Sequence, residues 1–164
     1  MEDMKLLERL IEEVGDKLWT FCLRLTNDRI VAEDLYQDTM LKAVDLKDKI
    51  NWDENPAGFL YALAVSINKN SFRRFYRRSR IAPTANIDTS TMNIVGKDNV
   101  ESKIEASETQ KDINIAISKL PLEQRAVILM FYMDDMPIKE IADALKIPIG
   151  TVKSRLSIGR NRLK

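Results

Sequence analysis

Near the end of the chain, IKEIADALKIPIGTVKSRLSIGRNRLK (Ile138 to Lys164) sets two helical patterns almost end to end. Ile138, Ile141, Ala142 and Leu145 repeat at three and four, which is one face of a short helix. A second helix must start between Pro148 and Thr151. Proline is tolerated in a first turn because its missing N–H would be unpaired there anyway, and Thr151 is a cap candidate if the start lies later. Val152, Leu156, Gly159 and Leu163 then form the buried stripe, with Gly159 marking a place where another helix can approach closely. The opposite face presents Lys153, Ser154, Ser157 and Ile158. Two helices separated by three or four residues match the DNA-binding helix-turn-helix, whose second helix enters the major groove with its N-terminal part toward the base edges. Lys146 stands where the turn often has glycine, and a positive φ at that position costs about 1 kcal/mol.

The chain has 26 basic and 25 acidic residues, yet the nineteen residues from Lys146 hold six basic side chains and no acid. A helical hairpin with a merely solvated basic ridge is the competing reading of this end. The small Ala142 at the helix contact, Ile147 as a plug in the turn and the absence of acid from the second helix favour DNA. A second basic block, KNSFRRFYRRSR (69 to 80), carries Lys69, Arg73, Arg74, Arg77, Arg78 and Arg80 interleaved with Phe72, Phe75 and Tyr76. Arginine beside aromatic rings holds phosphate while unpaired bases stack. Phe72 also fits as a continuation of the core stripe Phe59, Leu60, Leu63 and Ile67, and Tyr76 fits either role. No carboxylate lies within helical reach of Arg77 or Arg78. Both blocks are net +6, at the ends of stretches that are otherwise acidic: residues 1–58 are net −6, 81–115 net −3 and 116–145 net −2. A one-site repressor needs only one such block.

Between the blocks, IAPTANIDTSTMNIVGKDNVES has no helical or strand period and the composition of a linker. The expected fold is therefore all-α, with two small helical domains joined by a flexible linker: residues 1–80, a linker over 81–102, and residues 103–164 containing the helix-turn-helix. Helices are expected near 4–26, 30–46, 56–78, 103–119, 121–133, 137–145 and 149–163. Pro56, Pro121 and Pro137 fit first turns. No apolar run approaches membrane-spanning length, and the acidic amphipathic N-terminus is not a signal peptide, so a cytoplasmic location is expected. With no histidine and a single cysteine, Cys22, zinc sites and the common base–nucleophile dyads have no residues to form them. No enzyme, cofactor or metal site is expected.

Three segments in order, AEDLYQDTMLKAV (32 to 44), NPAGFLYALAVSINKNSFRR (55 to 74) and ISKLPLEQRAVILMFYMDDMPIKEIADALKIPIGTVKSRLSIGRNRLK (117 to 164), resemble the extracytoplasmic-function (ECF) sigma factors of bacterial RNA polymerase. The resemblance implies a promoter-specificity subunit of core RNA polymerase. It places Asp34, Leu35, Gln37, Asp38 and Leu41 against the β′ clamp helices, although Leu35 also fits the helix core beside Val31 and Thr39. It places Asn51, Trp52, Ser66, Asn70, Arg73, Arg74 and Arg77 at the −10 element, where a flipped base must be repaid its lost stacking by a snug pocket and backbone contacts. It places Thr151, Lys153, Ser154, Ser157 and Ile158 toward the −35 major groove, with Arg155, Arg160 and Arg162 on phosphates, which position a helix without reading sequence. Phe59 replaces a usual tryptophan, Ser66 a usual asparagine and Ile158 a common arginine. Isoleucine cannot make a bidentate guanine contact but packs on a thymine methyl.

The resemblance further implies contact of the second domain with the β flap, a linker running near the RNA exit path, and an inhibitory anti-sigma partner, typically membrane-bound. Two other functions compete. One is a stand-alone helix-turn-helix regulator that binds a ligand or partner through residues 1–80; the other is an RNA-binding adaptor using both basic blocks. The aromatic-rich basic block and the DLYQD segment favour the sigma reading, since a ligand domain needs neither.

Overall fold

The computed structural model describes residues 2–81 and 108–163; the side chains of 72, 73, 75–81 and 108–110 are outside that description. The expected linker, apart from Ile81, and the expected helix start at 103 fall outside the described residues. So do the side chains of Phe72, Arg73, Phe75, Tyr76 and Arg77.

Among the described residues the elements are α1 (Glu2–Thr26), α2 (Arg29–Asp45), a 3-10 turn (Lys47–Lys49), α3 (Pro56–Ile81), α4 (Glu108–Ser118), α5 (Leu122–Tyr132), α6 (Ile138–Leu145) and α7 (Ile149–Leu163), with no strand. Each start has a local cause. Asn27 adopts φ 54°, turning the chain out of α1, and Asp28 caps α2 by accepting from the Ile30 and Val31 amides at 2.9 and 3.2 Å. The Asn55 side chain accepts from the Gly58 amide at 3.1 Å, with Pro56 as first residue of α3. Pro121 and Pro137 stand one residue before their helices and not inside the first turn.

Leu7, Leu10, Leu18, Phe21, Cys22 and Leu25 of α1 form the centre of the first unit, against Ala32, Leu35, Thr39 and Ala43 of α2 and Leu60, Tyr61 and Ala64 of α3. Phe21 and Tyr61 meet edge to face, with ring centres 4.9 Å apart. Cys22 is fully buried, and burial pushes its thiol up to about 12.

In the second unit Val152, Leu156 and Gly159 of α7 are buried, as the helical spacing predicts. A Cβ on Gly159 would lie 3.0 Å from Ile128 Cγ1, so glycine sets how closely α7 approaches α5. Helix α5 is unlike the others: Ala126, Val127, Ile128, Leu129 and Met130 are all buried in succession. A helix apolar on every side needs neighbours on every side. Helices α6 and α7 supply some, and α1 and α3 of the first unit supply the rest.

Candidate nucleic-acid interface and docking stripe

Helix α2 carries large apolar residues on two opposite sides. Ala32, Leu35, Thr39 and Ala43 face the core. Ile30, Asp34, Gln37 and Leu41, spaced four, three and four, share the outward line, with Asp38 beside it. Ile30 and Leu41 are 61% and 67% exposed, while Leu35 is 4% exposed. The assignment of Leu35 to a docking surface is therefore corrected: it lies roughly 100–160° around the helix from Asp34, Gln37 and Leu41 and belongs to the core. Ile30 was missed by the motif. A helical wheel extended one turn toward the N-terminus from Asp34 finds it.

The −10 candidates lie on the loop after the 3-10 turn and along α3. Asn51 is exposed, but its side-chain oxygen accepts from the Asp53 amide at 3.2 Å and so shapes its own loop. Trp52 is half-buried, and its indole Nε1 is buried without a hydrogen-bond partner. Ser66, Asn70 and Arg74 are exposed on α3. Arg73 and Arg77 share that helix by backbone alone. Ser66 faces a cleft of about 460 Å³, with Phe59, Leu63 and Lys69 on its own wall and Ala144, Lys146, Ile147 and Arg155 opposite.

The helix-turn-helix has the geometry its spacing predicts. Lys146 ends α6 in the left-handed conformation, φ 57° and ψ 46°, and the amides of Lys146 and Ile147 both donate to the Ala142 carbonyl. Ile147 packs against the core as the expected plug. Helix α7 starts at Ile149, and the Thr151 amide donates to the Pro148 carbonyl, so Thr151 lies inside the first turn and is not the cap. Lys153, Ser154, Ser157 and Ile158 are exposed on one face, Ile158 at 42%. Arg155 departs from them: it lines the cleft and pairs with Glu123 at 3.5 Å. Arg160 is held by aromatics, its guanidinium 5.4 and 5.5 Å from the ring centres of Phe131 and Tyr132 and its Nε donating to the Tyr132 hydroxyl.

Among the described residues the chain is all-α, with two helical units, one carrying a helix-turn-helix and the other a long basic, aromatic-rich helix, which is the architecture of a nucleic-acid-binding protein with two basic surfaces. Residues 10–80 match sigma-70 region 2 and residues 112–163 match sigma-70, region 4. The chain is 31% identical over 152 residues to the ECF RNA polymerase sigma factor SigL of Mycobacterium tuberculosis, covering 92% of this chain and 82% of SigL. It is 26% identical over 159 residues to SigW of Bacillus subtilis, covering 94% of this chain and 85% of SigW. The fold matches that of the sigma factor RpoE from Bartonella quintana, solved with the anti-sigma factor NepR, with a TM-score of 0.78 at 24% identity over 99% of this chain and 95% of that one. The chain belongs to the ECF sigma factors, and it acts as an alternative sigma factor that directs RNA polymerase in transcription initiation. Among the described residues no helix is long and apolar enough to cross a membrane.

Proposed function

We propose a division of labour among three surfaces of this sigma factor. The outward line of α2, Ile30, Asp34, Gln37 and Leu41 with Asp38, docks on the clamp helices of the polymerase β′ subunit. Apolar residues at both ends of an acidic and amide centre suit a partner helix pair that is itself amphipathic and basic. Helix α3 and the loop before it hold the −10 strand through Asn51, Trp52, Ser66, Asn70, Arg73, Arg74 and Arg77. Helix α7 reads the −35 element through Lys153, Ser154, Ser157 and Ile158, with Thr151 at its entry and Arg160 on phosphate. The Phe131–Tyr132 pair pre-orders Arg160, so its ordering cost is already met before DNA arrives.

The observation that carries this reading is the α2 line, where two large apolar side chains stand in solvent opposite a complete buried line. An anti-sigma partner is proposed by analogy with the RpoE–NepR complex. Membrane attachment of that partner, the flap contact of the second unit and the linker's path near the RNA exit rest on the family resemblance.

Run-off transcription with purified core polymerase on a genomic promoter library tests the assignment. Discrete starts should require the protein. Leu41→Asp should abolish co-purification with core, whereas Lys153→Glu should keep core binding and lose the starts. Retention of core binding by Leu41→Asp together with Ile30→Asp would remove α2 from the docking surface.

A further inference from the structure

Arg155 and Arg160 of α7 are held in opposite ways. Arg155 pairs with Glu123 at 3.5 Å on the cleft side, so a carboxylate already meets its charge. Arg160 is exposed, and among the described residues no carboxylate pairs with it. Its partners are aromatic: the guanidinium lies 5.4 Å from the Phe131 ring centre and 5.5 Å from that of Tyr132, and the two rings meet edge to face at 4.9 Å. Ring faces attract a cation without neutralising it. The charge is therefore fixed in place and left for an anion from outside the chain.

The place of Arg160 along α7 says which anion. It follows Lys153 by seven residues, close to two turns, so the two share a side of the helix, with Ser157 beside them. It stands about 10 Å further along the axis, beyond the N-terminal part that meets base edges. A side chain there reaches the wall of the major groove, where the phosphates run, and not its floor. Tyr132 stands next to it at the end of α5, outside the helix-turn-helix, and is 54% exposed. Its hydroxyl oxygen accepts from Arg160 Nε, which leaves the tyrosine O–H and the two Nη groups of Arg160 without a partner among the described residues. An oxygen that accepts from a cation donates its own proton more strongly.

We propose that Tyr132 is a DNA contact in its own right: its hydroxyl and the Nη groups of Arg160 converge on one backbone phosphate at the edge of the −35 element. The inference rests on the −35 assignment of α7 above. Arg160 supplies charge and Tyr132 a neutral, directional second donor. Together they fix where that phosphate lies relative to α7, and with it how the reading face meets the bases. Phe131 touches no DNA in this arrangement; its half-buried ring holds both partners at their angle. Such a clamp adds affinity for any sequence and does not choose among bases.

Holoenzyme assembled from core polymerase and the full chain tests this on the promoter that the run-off experiment yields, in duplexes carrying a single methylphosphonate at each −35 phosphate in turn. One position should cost the wild type about tenfold in affinity. Tyr132→Phe keeps the ring and its packing. It should lose about tenfold on unmodified DNA, the effect of one hydrogen bond to a charged group, and nothing further at that one position. Salt separates contact from support. Arg160→Gln should lower the slope of log affinity against log salt by about 1, whereas Tyr132→Phe removes no charge and should leave it unchanged. A slope that also falls by about 1 in Tyr132→Phe would show that the tyrosine only holds the arginine, and overturns the proposal. So does wild-type affinity in Tyr132→Phe, or a loss that persists at every neutralised position. If Lys153→Glu and all the −35 methylphosphonates leave binding unchanged, the −35 assignment itself has failed and the clamp falls with it.

Discussion

Lys146 is a residue where local strain serves the turn. A left-handed conformation places the side chain of an L-residue against its own backbone, at about 1 kcal/mol, and Lys146 accepts that to let two successive amides close α6 on the Ala142 carbonyl. Lys146→Gly should therefore raise stability by roughly 0.5–1 kcal/mol in a chemical melt, the relief of strain exceeding the extra freedom of the unfolded chain. A loss of stability would show that the lysine stem contributes more along the cleft wall than the strain costs. Asn27 and Asp135 are the other left-handed non-glycine residues among those described, and both are types that tolerate this conformation. The helix-turn-helix pattern singles out Lys146, at the place where the turn often has glycine. Asn27 and Asp135 stand in turns that no motif marks.

At the scale of elements, α2 and α7 differ in how readily their faces could be read. In α7 the buried stripe Val152, Leu156 and Gly159 repeats at helical spacing, and Lys153, Ser154 and Ser157 on the other face are polar with Ile158 the exception among them, so spacing alone separates inside from outside. In α2 apolar residues occupy both sides, and periodicity cannot tell core from docking surface. Reading the DLYQD run as one motif mixed the two lines and carried Leu35 to the wrong side. The distinction has a measurable consequence. Leu35→Ala should cost about 2–5 kcal/mol of stability, as a buried leucine leaves a cavity, while Leu41→Ala should stay within about 0.5 kcal/mol of the wild type and weaken core binding instead. The reverse pattern would exchange their roles. Gly159 gives a second test at this scale. Alanine there should be nearly neutral, since about 1 kcal/mol of helix propensity offsets the push on Ile128. Gly159→Val should cost about 1–3 kcal/mol through overpacking against α5. Equal effects of alanine and valine in thermal melts would mean that Ile128 yields freely.

On the scale of the whole molecule, the division into two units was legible from charge and composition, but their contact was not. Tyr61 and Asp134 lie 73 residues apart, and nothing in the spacing of either segment pairs them. The clue that was present is the run AVILM in α5, too apolar for a helix covered on one side only. The seam also leaves a titratable signature. Asp134 is raised above the ordinary carboxylate pKa, first by burial and further by Asp135, against the opposing effects of the Tyr61 hydrogen bond and Lys17. A carboxyl whose pKa is higher in the folded chain binds its proton more tightly there. Above the folded pKa the buried charge is an unrelieved cost. As the pH falls through the folded pKa toward the unfolded value of about 3.9, that cost is progressively removed. Asp134→Asn removes the charge at every pH and keeps an oxygen for Tyr61. Calorimetry should therefore find the variant melting above the wild type at neutral pH, with the difference narrowing as the solution is acidified. A difference that widens on acidification would mean that Lys17 and Tyr61 hold Asp134 as a favourable carboxylate, and that the seam is an ion-stabilised contact instead of one that burial penalises.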